Sequence, residues 1–259
     1  MSLVRPLIAL LLFAELACAE LPVAEVEGQP LGANAGRVIQ ALELLGAPLS
    51  EAETKALEAA IGKRDAVAIQ KILDAHVLAS VSVNPELRVK VQRGPAKAVL
   101  WQGGFTPFLV KVLNDATVAR PVRVGSPQAG AVYSGAALGI LRRQAQTELK
   151  DNENTKGEKG RFLSVEMFGK PPMLPNLSGL EAEYAIVLIY SHEAGKREAT
   201  LQFDIGQGTQ DLGFRAEVPV LFNVLPARAV KLDVRDADGA PTTARLEFRD
   251  AAGRVYPPQ

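Results

Sequence analysis

The residues best equipped for chemistry lie in one stretch, YSHEAGKREATLQFDIGQGTQDLGFRAEVPVLF at 190–222. There His192, Glu193, Lys196, Arg197, Asp204, Asp211 and Arg215 interrupt an alternation of apolar and polar residues. Guanidinium and carboxylate groups at this density either form bidentate pairs that fix loops or line a groove for a ligand. Glu193, Asp204 and Asp211 also offer the carboxylates that acid–base glycoside hydrolysis needs, but nothing in their spacing makes two of them converge. His192-Glu193 opens like the zinc signature H-E-x-x-H, yet position 196 is Lys, so the second metal ligand is missing. Gly206-Gln207-Gly208 begins like a phosphate loop, but Asp211 stands where the third glycine belongs and a strand pattern follows. Asp236-x-Asp238-Gly239 imitates a calcium loop, but an EF-hand needs acids where Val234 and Arg245 stand; it reads as an Asp-Gly turn. His76 reads as a helix-packing residue and Trp101 as a core or sheet-edge aromatic. No catalytic residue, metal ligand or cofactor site is assigned to this segment.

Composition narrows the function classes. The 259 residues carry 29 basic and 29 acidic side chains, a formal net charge of +0. That balance argues against nucleic acid as a partner, which calls for a basic surface. The hydrophobic content of 47% is that of a globular chain with a core. The single cysteine, Cys18, excludes a disulfide scaffold.

The positioning elements begin after an export signal. In MSLVRPLIALLLFAELACAE, Arg5 precedes an apolar run from Leu7 to Ala14 that is far short of the roughly 20 residues a bilayer span requires. Ala17-Cys18-Ala19 then fits the small-x-small cleavage rule, so residues 1–19 read as a signal peptide and no transmembrane segment is expected. A lipoprotein reading would acylate Cys18, although Glu15 stands where an aliphatic residue is wanted. Either way the protein is expected to be exported, periplasmic or extracellular in a bacterium.

Residues 20–34 read as a loose leader. Residues 35–78 read as a short helical bundle or cap, with a helix at Gly36–Leu45, a Ser50/Glu53 capping box and an Asp65 cap. From residue 79 the period changes to two. VSVN, ELRVKV, AVLW, FLVKVLND, PVRVGS, RFLSVEM, YAIVLIYS, ATLQFDIG and RAEVPVLFNV are separated by Gly, Pro and Asn. The fold class expected is mainly β with an N-terminal helical part: an antiparallel Ig-like β-sandwich over 79–226, with a flexible loop at 150–160. Strands at Ala229–Asp236 and Thr242–Arg249 read as the start of a second β-module over 227–259, truncated at Gln259, because a two-stranded unit is not stable alone.

EYAIVLIYSHEAGKREATLQFDIGQGTQDLGFRAEVPVLF resembles a block in the N-terminal, non-catalytic region of secreted planctomycete-type CehA/McbA-family metallohydrolases, which are related to PHP-type phosphoesterases. ILDAHVLASVSVNPELRVKV with FLVKVLNDA is similar to the preceding block. VRDADGAPTTARLEFRDAAGRVYPPQ is similar to the opening of a carboxypeptidase-regulatory-like or Ig-like module. The resemblance covers about residues 65 to 259. It implies that the metal centre lies downstream, so none of the family's ligands has a counterpart here. Where the family pattern reads Tyr-Ser-Arg-Asp, this chain has Tyr190-Ser191-His192-Glu193, which removes any Arg-mediated contact at that point. The expected function is an accessory region of an exported metal-dependent hydrolase that positions the enzyme or binds substrate or surface. Its partners would be downstream domains of the same polypeptide and a cell-surface or extracellular ligand. The alternative is a stand-alone extracytoplasmic β-sandwich binding or interaction protein.

Overall fold

Among the described residues, three helices precede the strands: α1 (Gly28–Leu44), α2 (Glu51–Gly62) and α3 (Ala66–Asp74). The N-termini of α2 and α3 are set by the expected caps. Ser50 Oγ accepts from the Glu53 N–H at 3.3 Å, and Glu53 Oε2 accepts from the Ser50 N–H at 3.0 Å. Asp65 Oδ1 accepts from the Ala68 N–H at 2.9 Å. α1 differs from expectation: it starts at Gly28, not Gly36, inside the stretch read as a leader. The reason is visible in its buried residues, since Leu31, Ala35, Val38 and Leu42 keep helical spacing across the whole span. Pro30 sits in the first turn, where no intrahelical N–H is needed. Gly28 is required by a close approach, because a Cβ there would lie 1.7 Å from the Arg64 carbonyl oxygen.

The computed structural model describes residues 21–129, 161–206, 215–249 and 255–256. The expected signal peptide with Cys18, the polar loop at 150–160 and Asp211 lie outside the described residues. Among the described residues, nine strands follow the helices where the alternation predicts them. They are β1 (Val77–Val83), β2 (Val89–Arg93), β3 (Val99–Trp101), β4 (Phe105–Asn114), β5 (Arg123–Gly125), β6 (Leu163–Met167), β7 (Ala182–Ser191), β8 (Gly195–Asp204) and β9 (Glu217–Leu225). They form an inner sheet in the order β2-β1-β4-β7-β6 and an outer sheet in the order β3-β9-β8-β5.

Both sheets are mixed, which corrects the all-antiparallel Ig-like arrangement expected from the sequence. β1 pairs with β4 in parallel, and β3 pairs with β9 in parallel. Alternation reports which residues face a core; it carries no information on whether neighbouring strands run the same way. Among the described residues the fold is mainly β, with three helices and two large mixed sheets.

Two apolar cores explain the layering. Phe108, Val110, Val187 and Ile189 of the inner sheet meet Leu201, Phe203, Val220 and Phe222 of the outer sheet. On the opposite face, Leu109, Tyr184, Ile186 and Leu188 meet Leu31, Val38, Leu57 and Ile69 of the helices. The inner sheet is therefore covered on both faces, and β7 is buried along nearly its whole length. This is why YAIVLIYS is almost continuously apolar, whereas β9 alternates buried and exposed residues.

The C-terminal stretch is less regular than expected. In place of strands at Ala229–Asp236 and Thr242–Arg249 there is an isolated bridge between Arg235 and Pro241. Beyond it, a short antiparallel pair joins β10 (Phe248–Arg249) and β11 (Val255–Tyr256). The Asp-Gly turn is present, with the Gly239 N–H donating to the Asp236 carbonyl at 2.9 Å and Gly239 at φ +84°.

β6 pairs only with residues 187–191 of β7, so the other half of β7 needs a different neighbour. Asn34 of α1 supplies it with a side chain. Its Oδ1 accepts from the Tyr184 N–H at 2.7 Å and its Nδ2 donates to the Tyr184 carbonyl at 3.0 Å. Replacing Asn34 by Leu should cost about 2–4 kcal/mol, because it strands two buried backbone groups. Urea unfolding measures this, and a loss below about 0.5 kcal/mol would remove Asn34 from that role.

Candidate functional site

The charged stretch of the sequence does not fold into one site. β7 ends at Ser191, and the turn His192–Ala194 leads into β8 at Gly195, whose φ of +97° suits glycine. Ser191 Oγ donates to the Glu193 carbonyl at 2.8 Å and accepts from the Glu193 N–H at 3.3 Å, which shapes the turn. Arg197 Nε then reaches Glu193 Oε2 at 2.8 Å, while His192 Nε2 lies 3.8 Å from Glu193 Oε1. Lys196 contributes its carbonyl to Arg197 Nη1 at 3.2 Å. Gln102 clamps the turn from beside β3: its Nε2 donates to the His192 carbonyl at 3.0 Å, and its Oε1 accepts from the Ala227 N–H at 3.1 Å.

Asp204 sits at the other end of β8, about 23 Å from Arg197 at roughly 3.3 Å per residue. There Asp204 Oδ1 accepts from the Gly206 N–H at 2.7 Å and lies 4.0 Å from Arg123 Nη1. Arg215 enters the scaffold through its backbone carbonyl, which accepts from the Val91 N–H at 2.8 Å. The side chains of His192, Glu193 and Arg197 therefore gather at the β7–β8 turn, Lys196 joins through its carbonyl, and Asp204 and Arg215 do not join them. The Glu193–Arg197 pair is about two-fifths exposed on each side, so solvent screens it to well under 1 kcal/mol.

The strongest polar cluster was not singled out in the sequence. Lys111 of β4 is fully buried, and its Nζ donates to Asp74 Oδ2 at 2.8 Å and to the Pro22 carbonyl at 2.8 Å. Tyr184 of β7 donates its hydroxyl to Asp74 Oδ1 at 2.7 Å, and its ring centroid lies 6.0 Å from Lys111 Nζ. Burial, followed by the charge and hydrogen bond of Asp74, pushes the Tyr184 phenol well above its usual range. The phenol therefore stays protonated and donates permanently. The signal in the sequence was a lone Lys inside the apolar run FLVKVLN, flanked by residues facing both cores.

A second buried group is Glu183. Its carboxylate accepts from the Ser178 N–H at 2.9 Å and from Ser178 Oγ at 3.0 Å. Burial raises its pKa, and the Ser178 hydrogen bonds with the charge of Arg37 pull it partly back. Glu183 and Arg37 line a cavity of about 40 Å3 between α1, β7 and residues 167–177. That volume holds one to about three waters and no organic substrate. Among the described residues, no three His, Cys, Asp or Glu side chains converge to hold a metal ion, and no helix is long and apolar enough to cross a membrane.

No protein-family profile and no curated protein matches the chain. Among solved structures, domains 1–6 of the surface layer protein SbsC align with 65% of this chain and 22% of that one. The identity is 13% and the TM-score 0.26, too low to establish a shared fold. The chain spans about a fifth of that structure.

Two outcomes are expected from these geometries. Lys111→Met removes the cation but leaves Asp74 against Tyr184, and should cost about 3–5 kcal/mol in denaturant unfolding. Adding Asp74→Asn should recover part of that loss; additive losses would mean that the two groups are not coupled. For Glu183, the folded state holds its proton more tightly than the unfolded state. The unfolded state therefore binds fewer protons above the ordinary Glu pKa of about 4.3, and stability falls as pH rises through the raised folded value. Glu183→Gln should flatten that part of the melting-temperature profile, and a parallel profile would contradict the assignment.

Proposed function

We propose that this chain is the non-catalytic N-terminal region of an exported metal-dependent hydrolase, and that it positions the enzyme or holds it to a substrate or surface. The observation that carries this reading is the stretch after β9. Val230, Leu232, Leu246 and Phe248 are all exposed, at positions that alternate along the chain, and Val230 reaches 67% exposure. Extended segments with such side chains gain stability when further chain or a partner covers them. The block resemblance assigns that further chain to the family's next module and, beyond it, to its metal centre. The buried charged groups favour the same reading, because each binds the scaffold: Lys111 holds Asp74 and Pro22, and Glu183 holds Ser178. The leader sequence favours export.

Limited proteolysis with mass spectrometry tests the reading. Residues 226–249 should be cleaved early in this chain while the body up to β9 persists. In the product of the whole native reading frame the same bonds should be protected, and that product should bind a divalent metal. Equal protection of 226–249 in both, or a native band at the mass of this chain, would favour a stand-alone binding protein.

A further inference from the structure

We infer that the groove beside the N-terminal segment receives an extended basic peptide of a partner protein, which adds to residues 23–25 as a strand. The groove belongs to the body of the fold and does not rest on the proposed downstream region. It measures about 890 Å3 and is open to solvent, unlike the 40 Å3 cavity. Its lining includes the segment Val23–Glu27 as one wall, Val67 at the start of α3, and Leu180 with Glu181.

The wall is a segment outside the named strands, held from behind by one side chain. The Ala24 N–H donates to Gln70 Oε1 at 2.9 Å, and the Ala24 carbonyl accepts from Gln70 Nε2 at 2.8 Å. One residue further back, the Pro22 carbonyl is held by Lys111. In a planar trans peptide the carbonyl of one residue points opposite to the N–H of the next. The Val23 carbonyl and the Glu25 N–H therefore point away from Gln70. Both residues are exposed, and no described residue bonds to those two groups. That is one acceptor and one donor spaced for a neighbouring strand.

The lining sets the chemistry of the occupant. Glu25, Glu27 and Glu181 are exposed carboxylates, no Lys or Arg among the described residues lines the groove, and Val23 and Val67 are more than half exposed. An extended segment with alternating basic and apolar side chains satisfies the backbone pair, the carboxylates and the valines together. The part of the lining at Thr117 and Gly179 is fixed before anything binds. Asn114 Nδ2 donates to the Val118 carbonyl at 3.0 Å, and Asn114 Oδ1 accepts from the Val118 N–H at 3.2 Å. These bonds hold the Thr117 turn against Gly179, where a Cβ would lie 3.2 Å from the Thr117 carbonyl oxygen.

The test uses the full chain and a blocked seven-residue peptide of alternating lysine and valine, followed by calorimetry and by hydrogen exchange at the Glu25 amide. Saturable binding tighter than about 1 mM is expected, with the Glu25 amide slowed. The paired change Glu25→Gln with Glu181→Gln should weaken it roughly tenfold, and so should N-methylation of the peptide backbone at alternate residues. A peptide with glutamate in place of lysine should not bind. Absence of saturable binding overturns the inference. So does binding that survives either the Glu→Gln pair or N-methylation, and so does protection on β2 or β6 in place of Glu25.

Discussion

The ion pair between Lys111 and Asp74 is the constraint on which the layering depends. It joins the middle of β4 to the end of α3, and through the Pro22 carbonyl and the Tyr184 hydroxyl it also joins the N-terminal segment and β7. Burying an ammonium group costs several kcal/mol in lost hydration, so a lone lysine here would be intolerable. Two acceptors, the Asp74 carboxylate and the Pro22 carbonyl, with an aromatic face at 6.0 Å, offset that cost. They do so only when α3 lies in one place on the sheet. An apolar residue at 111 would give comparable burial with less demand on geometry, and the helices could then slide over the valines and leucines of the inner sheet. The polar knot thus fixes position at some expense in stability.

Side-chain amides extend the same logic. Asn34 bonds to both backbone groups of Tyr184, and Gln70 bonds to both backbone groups of Ala24. In each case an amide side chain imitates a neighbouring strand where no strand is available. The helices therefore lock onto the sheet and onto the N-terminal segment through directional bonds as well as apolar area.

These devices mark the boundary of what the sequence disclosed. The caps at Ser50 and Asp65 and all nine strands of the two sheets were legible, because capping and alternation are local signals. The parallel pairing of β1 with β4 was not, since it depends on which strands leave for the other sheet. The start of α1 was missed because glycine, proline and asparagine at 28–34 look like loop residues. In the fold each has a place: Gly28 under the Arg64 carbonyl, Pro30 in the first turn and Asn34 against β7. The charged stretch misled for a geometric reason. Residues close in sequence stay close on a helix, but a strand advances roughly 3.3 Å per residue, so Arg197 and Asp204 end on opposite rims. Lys111, by contrast, was conspicuous as a charge within an apolar strand and gained its partners only from distant parts of the chain.

The N-terminal segment shows what the amide device leaves behind. A strand held by a backbone neighbour on one side and solvent on the other is a hazard, because its free edge can pair with any extended chain. Here the hold comes from Gln70 and Lys111, and the free edge is short. Pro22 removes one donor, and Glu25 and Glu27 place negative charge beside it. Charge of one sign does not close an edge; it selects among partners. Two copies of this segment repel each other, which disfavours self-association, and acidic or neutral strands gain nothing from the carboxylates. A basic strand is the one class for which the Coulomb contribution and the backbone pair act together. The same glutamates that protect the edge therefore define what it can accept.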